Sequence, residues 1–257
     1  MLKAYFDESG TGGEGVVTAI AGFVGTADAW EVVEAGWFDL LKPLAEWGVS
    51  WFHMTDCVAG RGEFERVPSS VRSALIAGLT GVIARAAVVP VWAGVNLAEF
   101  ERLVKPGSPF QKRYPRPYDL CFDEVVRQVC EWSHDYAGAS RVALTFGATS
   151  QRQDDRSEET LTTWRSHPKF GGVLGPLAFD DPRQLVPLQA ADLYVHQLTA
   201  EQNTLENGTF NVWKSFSDRP IPQFIAHHTR MPVGGLYGET GLLLAIQEFE
   251  RVGRLWE

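Results

Sequence analysis

Two carboxylates at the end of the first predicted strand place the strongest constraint on this chain. Strands are predicted over residues 3–8 and 16–25, which are rich in small, aromatic and β-branched residues. The glycine-rich segment between them, residues 9–15, is typical of a hairpin connection. Asp7 and Glu8 therefore lie at the turn end of a predicted pair of strands.

The same glycine-rich segment also matches the G-x-G-x-x-G pattern, from Gly10 to Gly15. A dinucleotide-binding turn requires a helix directly afterwards, because the helix N-terminus meets the pyrophosphate. The residues that follow, Val16-Val17-Thr18-Ala19-Ile20, predict a strand instead. We therefore expect a hairpin that binds no nucleotide.

Strands and helices alternate along the rest of the chain, which predicts an α/β fold with a mixed sheet. Asp28 is predicted to open the first helix, with Glu31 completing a capping box and an apolar stripe on Trp30, Val33, Trp37, Leu41 and Leu44. Further helices are predicted over residues 69–86, 118–136, from about 188 and 239–253, and further strands over 87–95, 141–146 and 173–179. We expect one domain over residues 1–257, a length that supports a full hydrophobic core.

Composition limits the partners and the compartment. The net charge of −9 argues against a general electrostatic grip on nucleic acid and leaves a local basic groove open. The three cysteines have no CxxC spacing and are expected to be reduced, buried thiols. No signal peptide is evident, and the longest apolar runs are too short to span a bilayer. We expect a cytoplasmic protein with no membrane segment.

Asp7 is the sharpest candidate for a metal ligand. A carboxylate buried on an early central strand is costly without a cation or a hydrogen-bond donor, and Mg²⁺ and Mn²⁺ prefer carboxylate oxygen. The alternative, which the position alone favours, is a turn aspartate that caps the hairpin loop. Glu8 adjoins Asp7, but neighbouring strand residues point to opposite faces. Both therefore bind one ion only if the strand ends or bulges there.

A late helical segment carries a second polar set. Gln189, Asp192 and His196 are spaced i, i+3 and i+7, so they share one helix face beside the apolar stripe. This places Asp192 near the sheet, and the alternative is a solvated helix carboxylate. His196 is more typical of a boundary histidine than of a ligand.

Two histidine-containing segments carry weaker signals. His53 precedes Asp56 by three residues, and either His53 or His196 is a candidate for managing a proton. His227 and His228 are adjacent, and neighbouring histidines rarely bind one metal together.

A proline-rich basic segment covers residues 105–117 and contains no acid. Lys112, Arg113 and Arg116 alternate there with aromatic residues, which predicts contacts with phosphates and bases. A solvated connector is an equally good interpretation.

Two motifs resemble those of the domain of unknown function 3800 family. They are Tyr5-Phe6-Asp7-Glu8-Ser9-Gly10 near the start and Leu188-Gln189-x-Ala191-Asp192 near the end. The segment that begins at His53 and the helix that opens at Tyr118 also fit the order of that family. The resemblance covers most of the chain, and only the two end motifs are specific.

This resemblance implies a ribonuclease H-like mixed sheet flanked by helices, with family-specific insertions. In such folds an Asp on the first strand and an Asp on a late helix meet at a divalent-metal site. The resemblance therefore implies Asp7 and Asp192 as ligands of Mg²⁺ or Mn²⁺, with Glu8 near them.

The chain departs from that pattern in two places. The middle strand usually ends in another acid, but here residues 142–147 contain no carboxylate. Asp180-Asp181 stands where the family tends to have an Asp-Ser pair. The acids nearby that are candidates to substitute are Asp154, Asp155, Glu158 and Asp181.

Two hypotheses follow. The first is a metal-dependent nuclease or phosphodiesterase acting on nucleic acid, with Asp7, Glu8, Asp192 and His53 as catalytic residues. Substrate contacts would come from Lys112, Arg113, Arg116 and Gln189. The second is a non-catalytic relative that binds a protein or a nucleic acid. Three or more carboxylates converging on Asp7 favour the enzyme, and two favour the binding module.

Overall fold

A single mixed sheet holds all the described strands. The computed structural model describes residues 1–10, 16–148, 155–204 and 234–252. Its six strands lie in the order β5–β4–β1–β2–β3–β6. They are β1 Leu2–Ser9, β2 Val17–Gly25, β3 Val89–Asn96, β4 Val142–Gly147, β5 Leu174–Asp180 and β6 Gly234–Tyr237. The predicted α/β class with a mixed sheet is confirmed.

Strand direction divides the sheet at β1. Strands β1, β2 and β3 form an antiparallel series, whereas β4 pairs with β1 in parallel and β5 pairs with β4 in parallel. Strand β6 adds in parallel to β3. The carboxyl ends of β1, β4 and β5 therefore meet at one edge of the sheet, outside which ligands bind in many open α/β sheets.

Helices cover both faces of this sheet. They are α1 Ala27–Leu41, α2 Met54–Ala59, α3 Ser69–Arg85, α4 Leu97–Leu103, α5 Pro109–Arg113, α6 Pro117–Tyr136, α7 Asp155–Arg165, α8 Val186–Thr204 and α9 Glu239–Val252. Helices α1, α2, α3 and α8 share one hydrophobic core, and α4, α5, α6, α7 and α9 share the other. We call these the α8 face and the α6 face.

The alternation of β1 assigns its side chains to the two faces. Ala4 and Phe6 belong to the core of the α6 face, and Tyr5 belongs to the core of the α8 face. Because strand side chains alternate, Asp7 follows Tyr5 onto the α8 face and Glu8 follows Phe6 onto the α6 face.

The connection between β1 and β2 is a hairpin, as predicted. Ser9 is paired with Ala19 across the antiparallel strands, and the Thr18 hydroxyl donates to the Gly10 carbonyl oxygen at 3.0 Å. Gly10 has φ +78°, a conformation that glycine adopts without strain. Residues 11–15 lie outside the described part, and the next described element is strand β2.

The first helix begins differently from the prediction. Thr26, not Asp28, is the N-cap, and its side chain accepts a hydrogen bond from the Ala29 amide at 3.2 Å. Asp28 instead lies in the first turn, where a negative charge is favourable to the helix dipole. The predicted capping box on Asp28 and Glu31 was therefore wrong, because the helix starts one residue earlier than Asp28.

All three cysteines are buried and free, as expected. They are Cys57 on the α8 face and Cys121 and Cys130 on the α6 face. In the parts of the chain that the structure describes, no helix has the length and apolar character needed to cross a bilayer.

A buried carboxylate joins three helical elements on the α6 face. Asp123 of α6 is 3% exposed. It accepts hydrogen bonds from the Tyr114 hydroxyl at 2.6 Å and from the Trp164 indole at 2.8 Å. The Arg113 guanidinium lies 3.9 Å from the same carboxylate. The end of α5 and helix α7 are thus both tied to α6 through Asp123.

We expect Asp123→Ala to destabilise the fold strongly. The substitution leaves the Tyr114 and Trp164 donors buried without their acceptor. Each such donor lowers the free energy of unfolding by about 1–3 kcal/mol. Urea denaturation measures the loss. Glu248→Ala is the matched control, because Glu248 pairs with Arg251 on the solvent side of α9 and should change stability little. Equal losses in the two variants would contradict this role of Asp123.

Candidate active site at the carboxyl ends of β1 and β4

One cavity of about 230 Å³ opens at the carboxyl ends of β1 and β4. We call it the strand-end cavity. The predicted residues Asp7, Glu8, His53 and Asp192 all line it, together with His196. Its other lining residues are Ser9, Trp51, Thr55, Gly147, Ala148, Pro182 and Val195. The structure thus brings the two end motifs of the sequence to one place.

Helix α8 packs on the face of the sheet to which Asp7 belongs. Leu188, Leu193 and Leu198 contribute to the same core as Tyr5. Near the other end of the helix, Thr199 Oγ1 lies 3.1 Å from Ser9 Oγ, within hydrogen-bonding distance. Asp7 and Asp192 therefore approach the cavity from the same side of the sheet.

Gly147 explains why the middle strand ends without an acid. Phe6 is in register with Phe146, so the next pair of residues brings Asp7 beside Gly147. A Cβ atom at Gly147 would lie only 2.6 Å from Asp7 Oδ1. The Asp7 carboxylate thus occupies the space that a side chain at the end of β4 would need.

We expect Gly147→Ala to displace the Asp7 carboxylate, and an ion held by Asp7, such as Mn²⁺, would then bind more weakly. The atom in the way is the end of a rotatable side chain, so the free energy of unfolding should change little while ion affinity falls. Calorimetric titration with Mn²⁺ and urea denaturation measure the two effects. Gly172→Ala is the control, because a Cβ there meets nothing within 4 Å. Unchanged Mn²⁺ affinity in Gly147→Ala would argue against an ion at Asp7.

Asp192 is held in a fixed orientation inside the protein. It is 8% exposed, and its Oδ2 accepts a hydrogen bond from the Met54 amide at 2.7 Å. Burial raises the pKa of this carboxyl group, while the Met54 bond and the nearby His53 act in the opposite direction. No lysine or arginine occurs among the described residues that line the cavity. A carboxylate with these surroundings fits a bound cation.

The raised pKa of Asp192 makes stability depend on pH. The folded chain binds this proton more tightly than the unfolded chain does. The contribution of this proton to the free energy of unfolding is therefore fully present below about pH 4, the ordinary pKa of Asp. It is lost as the pH rises through the raised pKa of Asp192. In Asp192→Asn the amide keeps an oxygen for Met54 and has no proton to lose. Without metal, the stability of wild type relative to this variant should fall as the pH rises from about 4, measured by urea denaturation. A difference independent of pH would contradict the desolvation of Asp192.

Gln189 positions the neighbouring chain. Its Oε1 accepts from the Phe52 amide and from the Trp37 indole, each at 3.0 Å, and its amide nitrogen donates to the Pro182 carbonyl oxygen at 2.9 Å. Gln189 is 3% exposed and does not line the cavity. Gln189 therefore bonds neighbouring parts of the chain, and the structure does not bring this predicted substrate contact to the cavity.

The two histidines of the cavity have different surroundings. His53 Nδ1 lies 2.9 Å from Asp56 Oδ2, and the His53 ring stacks on Trp51 with centroids 5.4 Å apart. His196 Nδ1 is buried with no hydrogen-bond partner among the described residues. Burial, followed by the nearby His53, lowers the pKa of His196.

The predicted basic contacts lie elsewhere. Lys112, Arg113 and Arg116 belong to the segment around α5, whose Phe110 packs in the core of the α6 face, and none of the three lines the strand-end cavity. Arg113 approaches Asp123, and Arg116 Nε bonds Asp119 at 3.1 Å. These arginines are held by acids of α6, so the structure does not bring the predicted phosphate contacts to the cavity.

Among the described residues, the acids that were candidates to replace the missing acid of the middle strand do not line the cavity. Glu158 Oε2 lies 3.4 Å from Arg165 Nη1, and Asp181 is bound by Arg183 in an exposed turn. Neither lines the cavity. Asp154, the side chain of Asp155 and the pair His227-His228 lie outside the described residues.

The acidic and histidine side chains of the strand-end cavity do not form a closed cage for an ion. Within residues 1–10, 16–148, 155–204 and 234–252, no group of three or more His, Cys, Asp or Glu side chains is arranged to hold an ion. Three carboxylates nevertheless line the strand-end cavity. This donor set fits Mg²⁺, which is usually held by one or two carboxylates, with waters and substrate phosphates completing its shell.

No protein-family model matches the chain, and no curated protein matches it. The fold and the cavity define an α/β protein with an acidic cavity at the carboxyl ends of its central parallel strands.

Proposed function

We propose that the protein is a metal-dependent phosphodiesterase that hydrolyses nucleic acid at the strand-end cavity. The observation that carries the proposal is the convergence of Asp7, Glu8 and Asp192 on one cavity from opposite ends of the chain. Two histidines, His53 and His196, line the same cavity and supply candidate proton acceptors.

The sheet supports a ribonuclease H-like fold as part of this proposal. Three antiparallel strands begin the chain, and β4 and β5 then add in parallel on the other side of β1. Asp7 ends the central strand, and Asp192 lies on a helix that follows β5. These are the places that the resemblance to the domain of unknown function 3800 family implies for the two ligands.

Asp7 and Asp192 would hold the ion, Mg²⁺ or Mn²⁺. A bound divalent ion of this kind polarises a phosphate and lowers the pKa of a water molecule, which makes the water a better nucleophile. The Met54 bond fixes the Asp192 carboxylate beforehand, and this reduces the conformational cost of coordination. Glu8, on the opposite side of the strand, adds negative charge at the rim.

The acidic lining also means that a phosphate group would enter the cavity only together with a cation. A phosphodiester carries negative charge, so Asp7, Glu8 and Asp192 repel it unless a cation lies between them. The surrounding protein enhances this effect, because charges interact more strongly in a partly buried cavity than in bulk water. Substrate binding at this cavity therefore requires the ion.

Asp7→Asn tests the proposal, because it keeps the shape of the side chain and removes the charge that attracts the ion. Mn²⁺ should raise the thermal midpoint of wild type more than that of Asp7→Asn. An ion at 100 times its Kd stabilises a folded protein by about 2.7 kcal/mol. In parallel, wild type with Mn²⁺ should cleave single- or double-stranded DNA or RNA, and Asp7→Asn should not.

Asp39→Asn is the matched control, because Asp39 is an exposed aspartate on α1 away from the cavity. It should behave as wild type in both assays. Equal Mn²⁺ shifts in wild type and Asp7→Asn would place the ion elsewhere in the protein and contradict the proposal.

A non-catalytic binding module is the second candidate function. The observation that favours it is the lack of a three-ligand cluster among the described residues. It predicts no Mn²⁺-dependent shift and no cleavage of any DNA or RNA substrate, together with retained binding of a protein or nucleic acid partner.

A further inference from the structure

Side-chain acceptors hold the backbone of one wall of the strand-end cavity, the Ser50–Met54 segment. Glu63 Oε2 accepts from the Ser50 amide at 2.6 Å. Gln189 holds the Phe52 amide, and Asp192 holds the Met54 amide. These contacts come from two elements, the helical turn Gly62–Phe64 and helix α8, and they fix the segment at both ends and in its middle. A ring carried by this segment keeps its position without the help of a ligand.

His53 is the ring that this segment presents to the cavity. Trp51 packs against it with the two planes inclined by 16°, which restricts tilting of the ring. Asp56 lies one turn later in helix α2, and its Oδ2 is 2.9 Å from His53 Nδ1. This contact restricts rotation of the ring about the Cβ–Cγ bond. The remaining ring nitrogen is Nε2.

The contact with Asp56 also determines where the proton of a neutral His53 ring lies. A carboxylate is an acceptor only, so the nitrogen facing it must carry the hydrogen. Nδ1 is then the donor to Asp56, and Nε2 keeps its lone pair. An oriented base of this kind, held by a third group, recurs in sites that activate a nucleophile.

His196 lacks such an arrangement. Its Nδ1 is buried with no partner among the described residues, so no contact of that nitrogen selects one tautomer. The structure therefore distinguishes two histidines that the sequence leaves equivalent.

We infer that Asp56 is a positioning residue that holds His53 with Nε2 free to accept a proton in the cavity. The inference rests on the proposed phosphodiesterase function. As the oxygen of a water molecule bonds to phosphorus, one of its protons passes to His53 Nε2. The bond between phosphorus and the leaving oxygen breaks with its electron pair on that oxygen. Solvent protonates the leaving oxygen, and the His53 imidazolium returns its proton to solvent.

The test is the protonation pattern of the His53 ring, read by ¹⁵N–¹H correlation spectra of the ring nitrogens in the intact, metal-free protein. The chain has six histidines, and the signals lost in His53→Gln assign those of His53. At a pH where the ring is neutral, wild type should show a protonated Nδ1 and a bare Nε2. Asp56→Ala should show a mixture of the two tautomers.

Glu63→Gln is the matched control, because Glu63 holds the same segment through hydrogen bonds from Ser50 and Trp51. It should keep the wild-type tautomer. In cleavage assays with Mn²⁺, Asp56→Ala should lower kcat by on the order of 10²-fold and leave KM nearly unchanged.

A wild-type ring protonated on Nε2, or an unchanged tautomer in Asp56→Ala, would overturn the inference. The wild-type spectrum decides this even if a variant fails to fold. The expected tautomers without any Mn²⁺-dependent hydrolysis would overturn the phosphodiesterase proposal instead and leave the positioning of His53 by Asp56 supported.

Discussion

The row of polar side chains along α8 joins the central strand to the segment that carries His53, and the geometry of the cavity depends on it. Gln189 and Asp192 accept hydrogen bonds from backbone amides of that segment, and Thr199 lies within hydrogen-bonding distance of Ser9. An amide buried without an acceptor costs about 1–3 kcal/mol, so these contacts specify how the segment approaches the helix. Because the three residues share one helical face, a single helix sets two walls of the cavity.

The basic segment and the strand-end cavity have different charge environments. On the α6 face, arginines of the basic segment are bound by acids of α6, as in the Arg116–Asp119 pair. At the carboxyl ends of β1 and β4, acids line the strand-end cavity, where no described lining residue is lysine or arginine. A basic sequence segment thus does not create a basic groove. On the proposed function, the cavity would attract a cation first and a phosphate only through that cation, which is consistent with a net charge of −9.

Local patterns predicted the elements and the polar face of α8, because helix and strand periodicity depend on neighbours in sequence. The same spacing placed Asp192 against the sheet. Sequence could not give Gln189 its structural role, since its partners Trp37 and Phe52 lie 152 and 137 residues away. The pairing of Arg113 with Asp123 is closer in sequence, but it depends on the angle between α5 and α6, which no periodic pattern encodes.

Gly147 shows how one position limits the number of acids that can meet at the end of β4. Asp7 lies across the end of β4, where a side chain at Gly147 would meet its carboxylate. An acidic side chain at position 147 and the present orientation of the Asp7 carboxylate are therefore mutually exclusive. On the proposed function, the two remaining ligands bind an ion whose shell a substrate phosphate completes. Ion and phosphate must then strengthen each other's binding by the same factor, because coupling between two ligands is reciprocal.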